Sequence, residues 1–298
     1  MKRVLAFIVV AGIAVAALYV AQRRPQSPPV SSNAIVEVAA DVQRDVSRVP
    51  MRVTRMSDDQ EIQVGNELAA RYVSESGTLS PMQLALQRYV VRVGGAVALH
   101  AKRKLPYQFH LIPSHDMINA FALPGGHVFV GEGLLDMMMS EDELASVLAH
   151  ELEHIDQYHC AERVQVETQA RQLHLGVLGE LAQLPIALWQ AGYSKDQELE
   201  ADREGLLLAV SASYSPFGMV RLLEKFSRME QEYVIHARSP EQELSQLAVQ
   251  SLGGYFRSHP PTSERLAQAN HVIESEKWQD RKQLKPFRVE YETNASAR

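Results

Sequence analysis

The chain has 298 residues, 46% of them hydrophobic and 22% charged, and a net charge of −6. This is enough apolar material for one large domain or two small ones. The acidic balance and the lack of a basic stripe argue against nucleic acid as a partner. The single cysteine, Cys160, excludes an intramolecular disulfide and leaves the redox compartment open.

Lys2 and Arg3 precede an uncharged apolar run of 18 residues, Val4 to Ala21, at the short end of a membrane-spanning length. Residues 1–21 read as an uncleaved membrane anchor. The alternative is a cleaved signal sequence, but its small-x-small site, Val15-Ala16-Ala17, lies inside the apolar run. Either reading sends the rest of the chain to or across a membrane. Basic residues flank both ends (Arg23 and Arg24 on the far side), so charge alone does not set the orientation. Residues 22–50, with Pro25, Pro28, Pro29, Ser27, Ser31 and Ser32, read as a linker unable to build a core.

The main domain is expected over 51–284. A first helix starts after Ser57, runs through Glu61, Ile62, Val64, Leu68 and Tyr72, and ends near Gly77. Ser80-Pro81 is an N-cap and first-turn pair opening a second helix to about Arg103, weakened in its middle by Gly94-Gly95. The period then changes. Tyr107 to Ile112 alternates and stops at Pro113, Asn119 to Leu123 is a second short strand, and His127 to Val130 follows the turn signal Pro124-Gly125-Gly126. These three strands predict a small antiparallel sheet, whose edge strand Asn119, Ala120, Phe121, Ala122, Leu123 is suited to pairing with an extended peptide.

Ser140 and Glu143 form a capping box opening an apolar-periodic helix that carries His150-Glu151-Leu152-Glu153-His154. Residues four apart lie about 40° apart around a helix, so His150 and His154 can share one metal ion. Glu151 lies one step round, placed to act as general base on a metal-bound water. The helix is expected to continue to about Leu173, which turns His159, five residues past His154, elsewhere. Residues 173–191, with Glu180 and Pro185, read as core packing rather than a second membrane span. Ser194 and Gln197 form another capping box, opening a helix from Lys195 to about Ala212. Further helices are expected after Ser215-Pro216, after Ser239-Pro240 and after Thr262, followed by a polar tail over 285–298.

Two histidines are too few for catalytic zinc, which takes three protein ligands. Of the eleven histidines, most stand singly. The acidic helix after Ser194 is the best source of a third ligand, and residue type and spacing leave Glu198, Glu200 and Asp202 open.

Several separated stretches resemble metallopeptidase family 48, which includes HtpX, BepA-type periplasmic proteases and the type I CAAX prenyl proteases. They are Asn119 to Gly126, Ser140 to Ala145, the His-Glu-x-x-His core, Glu198-x-x-x-Asp202, and Ser258-His259-Pro260-Pro261 with Arg265. The resemblance covers about residues 58 to 275 and points to the single-anchor, periplasmic-type branch. It implies an α+β, mainly helical, gluzincin-type zinc peptidase domain with one Zn2+ per chain held by His150, His154 and Glu198. Asp202 and Arg265 would support the ligands from behind, and Glu200 would be a bystander. His259 would serve as a fourth ligand that keeps the enzyme latent, or as an oxyanion stabiliser. Glu153 stands where many relatives carry Gly.

The implied activity is zinc-dependent endopeptidase cleavage of unfolded or misassembled membrane or envelope proteins, in protein quality control. The alternative is a latent or chaperone-like zinc-containing factor that binds clients. The expected partners are protein or peptide substrates and a membrane reached through the N-terminal segment, with the catalytic domain periplasmic or extracytoplasmic.

Overall fold

The structure is a computed structural model, and it describes residues 56–75, 77–165, 193–236, 259 and 263–289. The anchor expected over 1–21, the expected linker, the 173–191 segment, the helix expected after Ser239-Pro240 and the Thr262 cap lie outside the described residues. No helix among the described residues is long and apolar enough to cross a membrane.

The described part is mainly helical with one small sheet. In chain order it comprises α1 (Asp58–Glu75), α2 (Pro81–Ala98), β1 (Gln108–Ile112), β2 (Ala120–Leu123), a 3-10 turn (Pro124–Gly126), β3 (His127–Gly131), α3 (Glu132–Asp136), α4 (Glu141–Asp156), α5 (Lys195–Ser211), α6 (Phe217–His236) and α7 (Ser263–Ser275). A further helical segment covers 159–165. The sequence signals for helix starts hold. Ser80 with Gln83, Ser140 with Glu143 and Ser194 with Gln197 each form the reciprocal capping box, which satisfies amide donors the first turn leaves without partners.

α4 is the buried axis of the domain. Leu144, Leu148, Leu152 and Ile155 are at most 1% exposed, and every residue from Asp142 to Asp156 is buried. A helix closed in on all sides needs neighbours all round. Here they are α2, α5, α6 and the sheet. Its first turn is held electrostatically. Glu141 takes Arg92 at 2.6 Å and the Tyr89 hydroxyl at 3.0 Å, and Asp142 accepts from the amides of Ser215 and Lys285. Carboxylates suit the positive end of a helix.

The sheet has the order β1-β3-β2. β2 pairs with β3 antiparallel, as expected, with Phe121 opposite Phe129. β1, however, runs parallel to β3, with Phe109 opposite Val128, so the sheet is mixed rather than antiparallel. The tight Pro124–Gly126 turn fixes only the β2–β3 pair, and β1 joins the other side of β3. Gly125 in that turn has φ 78°, and a side chain there would strike the Glu61 carbonyl of α1 at 2.5 Å. Glycine therefore allows both the left-handed turn and the docking of α1 on it.

Three boundaries differ from the sequence reading. α2 stops at Ala98, not near Arg103, because the next residues bond to the far end of α4. The Lys102 amide donates to Asp156 Oδ2 at 2.7 Å and Arg103 Nη1 to the Ile155 carbonyl at 2.8 Å. α4 itself stops at Asp156 instead of running to about Leu173, since Tyr158 has a left-handed φ of 64° and breaks the helix. The tail expected to be polar from residue 285 is docked up to 289. Pro286 bridges to Ser140, and Phe287 stacks on Tyr89 with ring centroids 4.8 Å apart.

Candidate metal centre

Four side chains from three separate stretches converge within the core: His150 and His154 of α4, Glu198 of α5, and His259. Their ligand atoms all lie within 4.8 Å of one another, and all four residues are buried. His150 Nε2 is 3.1 Å from His154 Nε2, 3.2 Å from His259 Nδ1 and 3.6 Å from Glu198 Oε2. Glu198 Oε1 is 3.5 Å from His154 Nε2 and 3.0 Å from His259 Nδ1. Zinc bonds of about 2.0–2.1 Å in a tetrahedron require ligand atoms about 3.3–3.4 Å apart. The donor set, three imidazoles and one carboxylate, and its spacings both fit a tetrahedral zinc ion.

Helix geometry explains the convergence. His150 and His154 share a face of α4, and Glu198 and Asp202 share a face of α5. The two helices pack closely because α5 carries Gly205 at the crossing, where an added Cβ would lie 3.0 Å from the Cα and the amide nitrogen of His150.

Behind the cluster, Asp202 Oδ1 lies 2.9 Å from His150 Nδ1. Arg265 of α7 holds Asp202 with Nε at 2.5 Å and Nη2 at 2.7 Å. Its Nη1 lies 3.2 Å from Glu198 and donates to the His259 carbonyl at 3.3 Å. One buried guanidinium thus ties two carboxylates of α5 to the residue that completes the cluster.

Glu151, the expected base, is buried. Its Oε1 lies 3.3 Å from His259 Nε2, and its Oε2 has no hydrogen-bond partner among the described residues. An unpartnered carboxylate oxygen in the core is costly and is consistent with an atom reserved for a reacting group.

The electrostatics agree with tight coupling. Burial pushes the Glu198 carboxyl up, but the His259 and Arg265 charges override it and hold it well below the usual carboxylate range. Asp202 is likewise held down by Arg265 against its burial. Burial opposes protonation of His259, yet Glu198 and Glu151 raise it, whereas burial holds His154 well below the ordinary imidazole range.

The structure also brings to the cluster two residues that the sequence reading sets aside, His159 and Glu200, and one that it leaves unmarked, Tyr193. His159 does not face elsewhere: the break at Tyr158 brings its Nδ1 to 2.9 Å from His154 Nδ1. Glu200, expected to be a bystander, lies 3.4 Å from His159 Nε2. Tyr193 stacks on the His154 ring, centroids 3.7 Å apart and 13° between planes. Its hydroxyl meets the Cys160 thiol at 3.3 Å. Nothing in Gln157-Tyr158 signals the turn that places His159. Nothing in the sequence marks Tyr193.

β2 lies at an edge of the sheet beside α4, and all four of its residues are buried. Asn119, just before it, accepts from the Ala120 amide through Oδ1 at 2.9 Å, and the Cys160 thiol lies 3.6 Å from the Ala122 carbonyl.

A family model described as Peptidase family M48 matches residues 82–273. The chain is 29% identical over 237 residues to a beta-barrel assembly-enhancing protease of Yersinia pestis, covering 72% of this chain and 44% of that protein. It is 31% identical over 191 residues to the protein of the same name from Escherichia coli (strain K12), covering 57% and 38%. It is 32% identical over 173 residues to the mitochondrial metalloendopeptidase OMA1 of Arabidopsis thaliana, covering 55% and 32%. The chain therefore spans less than half the length of each of these relatives.

Proposed function

The chain belongs to peptidase family M48, and from that premise we propose that it is a zinc-dependent endopeptidase that cleaves unfolded or misassembled envelope proteins. The observation that carries the reading is the buried cluster of His150, His154 and Glu198 with the unpartnered Glu151 oxygen beside it.

Bound there, zinc supplies Lewis acidity and an activated water. Glu151 Oε2 takes the proton of the attacking water and later returns it to the leaving amine. Asp202, braced by Arg265, orients the His150 ring. The substrate lies as an extended strand along Asn119 to Leu123, its backbone replacing the local partners of the Ala120 amide and the Ala122 carbonyl. Strand pairing reads backbone rather than side chains, which suits a protease for unfolded chains. Beta-barrel assembly-enhancing proteases among the relatives support an envelope role, and residues 1–21 would hold the domain at a membrane.

A specific contact favours a latent form of the same enzyme. His259 Nδ1 lies within 3.2 Å of both His150 and Glu198, so it would take the ligand position that a catalytic zinc site leaves to water. In this reading His259 closes the site at rest and withdraws when a client binds. An enzyme that stays closed would act as a client-binding factor.

Chelation followed by metal readdition tests the proposal. A chelator should abolish casein cleavage and zinc should restore it; cleavage that survives complete zinc removal overturns the reading. His259→Ala tests latency: faster cleavage supports it, and an unchanged rate rules it out.

A further inference from the structure

We propose that His159 and Glu200 form a positioning relay for the metal ligand His154, the counterpart of Asp202 behind His150. The relay rests on the zinc-peptidase reading above and adds to it how the second ligand is held.

Each imidazole that gives one nitrogen to a metal has a second nitrogen whose partner fixes the ring and its tautomer. For His150 that partner is a buried carboxylate, Asp202. Among the described residues, His154 faces no carboxylate from its Nδ1. It faces another imidazole, His159 Nδ1, at 2.9 Å, and both residues are buried. Two ring nitrogens in contact can share only one proton. With His154 Nε2 turned to the cluster, its proton sits on Nδ1 and is donated to His159. His159 must then accept at Nδ1 and carry its own proton on Nε2, the nitrogen that lies 3.4 Å from Glu200 Oε2. A carboxylate there favours that tautomer, so Glu200 sets the direction of the whole chain.

The backbone is built to deliver this contact. On a continuous helix, His159 would lie about 140° round from His154. The left-handed Tyr158 ends α4 and turns the chain back. Arg103 secures the turn, lying 3.9 Å over the Tyr158 ring while its Nη1 donates to the Ile155 carbonyl. Tyr193 then stacks on the His154 ring and leaves it one orientation. α5 thereby serves the centre with three side chains: Glu198 in the cluster, Asp202 behind His150, and Glu200 behind His159. Glu200 is about half exposed and the other two are buried, so solvent reaches the relay at the Glu200 end.

The test is zinc affinity of the full chain by chelator competition, with thermal stability of the metal-free protein alongside. Supporting histidine–metal contacts are worth about 10–100-fold in affinity. His159→Leu, which removes the acceptor, should weaken zinc by about that factor. His159→Asn, which places a carbonyl oxygen near the former Nδ1, should recover most of the loss even if it is no more stable. Glu200→Ala, at a half-exposed position that tolerates change, should show a smaller, severalfold weakening. Wild-type zinc affinity in His159→Leu overturns the relay, as does His159→Asn binding no better than His159→Leu. Both results leave the peptidase reading standing. A wild-type chain that binds no zinc removes that reading and the relay with it.

Discussion

Gly205 of α5 sits directly on His150 of α4, so close that a methyl group in its place would be 3.0 Å from two backbone atoms of His150 and 3.2 Å from the Ala149 carbonyl carbon. Backbone cannot rotate away as a side chain can. The crossing of the two helices, and with it the reach of Glu198 to the histidines, depends on this missing side chain. Gly205→Ala should cost about 1–3 kcal/mol, as overpacking of a close contact does, and should loosen zinc binding as α5 is pushed outward. Urea denaturation and metal titration of the variant check both. Unchanged zinc affinity would mean that α5 positions its carboxylates by some other contact.

Arg265 should be irreplaceable for stability. It compensates Asp202 and Glu198, both buried. Arg265→Met strands these charges, and breaking a buried ion pair from one side costs about 3–5 kcal/mol. Arg265→Lys should not restore the loss, because one ammonium cannot span Asp202 with two nitrogens and also reach Glu198. Denaturation midpoints for the two variants decide this.

A second histidine pair, on β1 and β3, predicts a pH dependence. His110 Nε2 and His127 Nδ1 are 3.0 Å apart between β1 and β3, and His127 continues to Asn66 at 2.9 Å. Burial, reinforced by His127, lowers His110 from 6.5 to about 4, and burial lowers His127 as well. Between those values the unfolded chain binds more protons than the folded one, so stability falls as pH falls. The contribution is complete above about pH 6.5 and lost on acidification toward pH 4. His110→Gln, which keeps a hydrogen-bonding group without the titration, should show a shallower fall of Tm across that window. The difference between the two curves separates the pair from carboxylates titrating nearby, and parallel curves would refute the assignment.

Much of this architecture is legible in local chemistry. Capping serines mark the starts of α2, α4 and α5, and the spacing of His150, Glu151 and His154 states its own geometry. Glu198 is a different case: residue type and spacing leave it level with Glu200 and Asp202, and only the resemblance to a family separates them. The crossing at Gly205 shows why Glu198 and Asp202 point inward together. What local patterns hide is set by tertiary contacts. The parallel pairing of β1 depends on which side of β3 it joins, and its own alternation does not encode that. The early end of α2 follows from Lys102 and Arg103 bonding the end of α4. An unbroken helix would turn His159 to the far side, and one left-handed residue, Tyr158, brings it to the back of His154 instead.

The most direct test of the central claim is casein cleavage by the zinc-loaded protein and by Glu151→Gln, each with and without His259→Ala. About one zinc per chain is expected throughout, with cleavage in the Glu151 proteins, fastest without His259. With Gln at position 151 a loss of about 10²–10⁴-fold is expected, the usual contribution of a general base. Cleavage by Glu151→Gln at the full rate, or zinc-loaded protein that cleaves nothing even when His259 is removed, would contradict the claim.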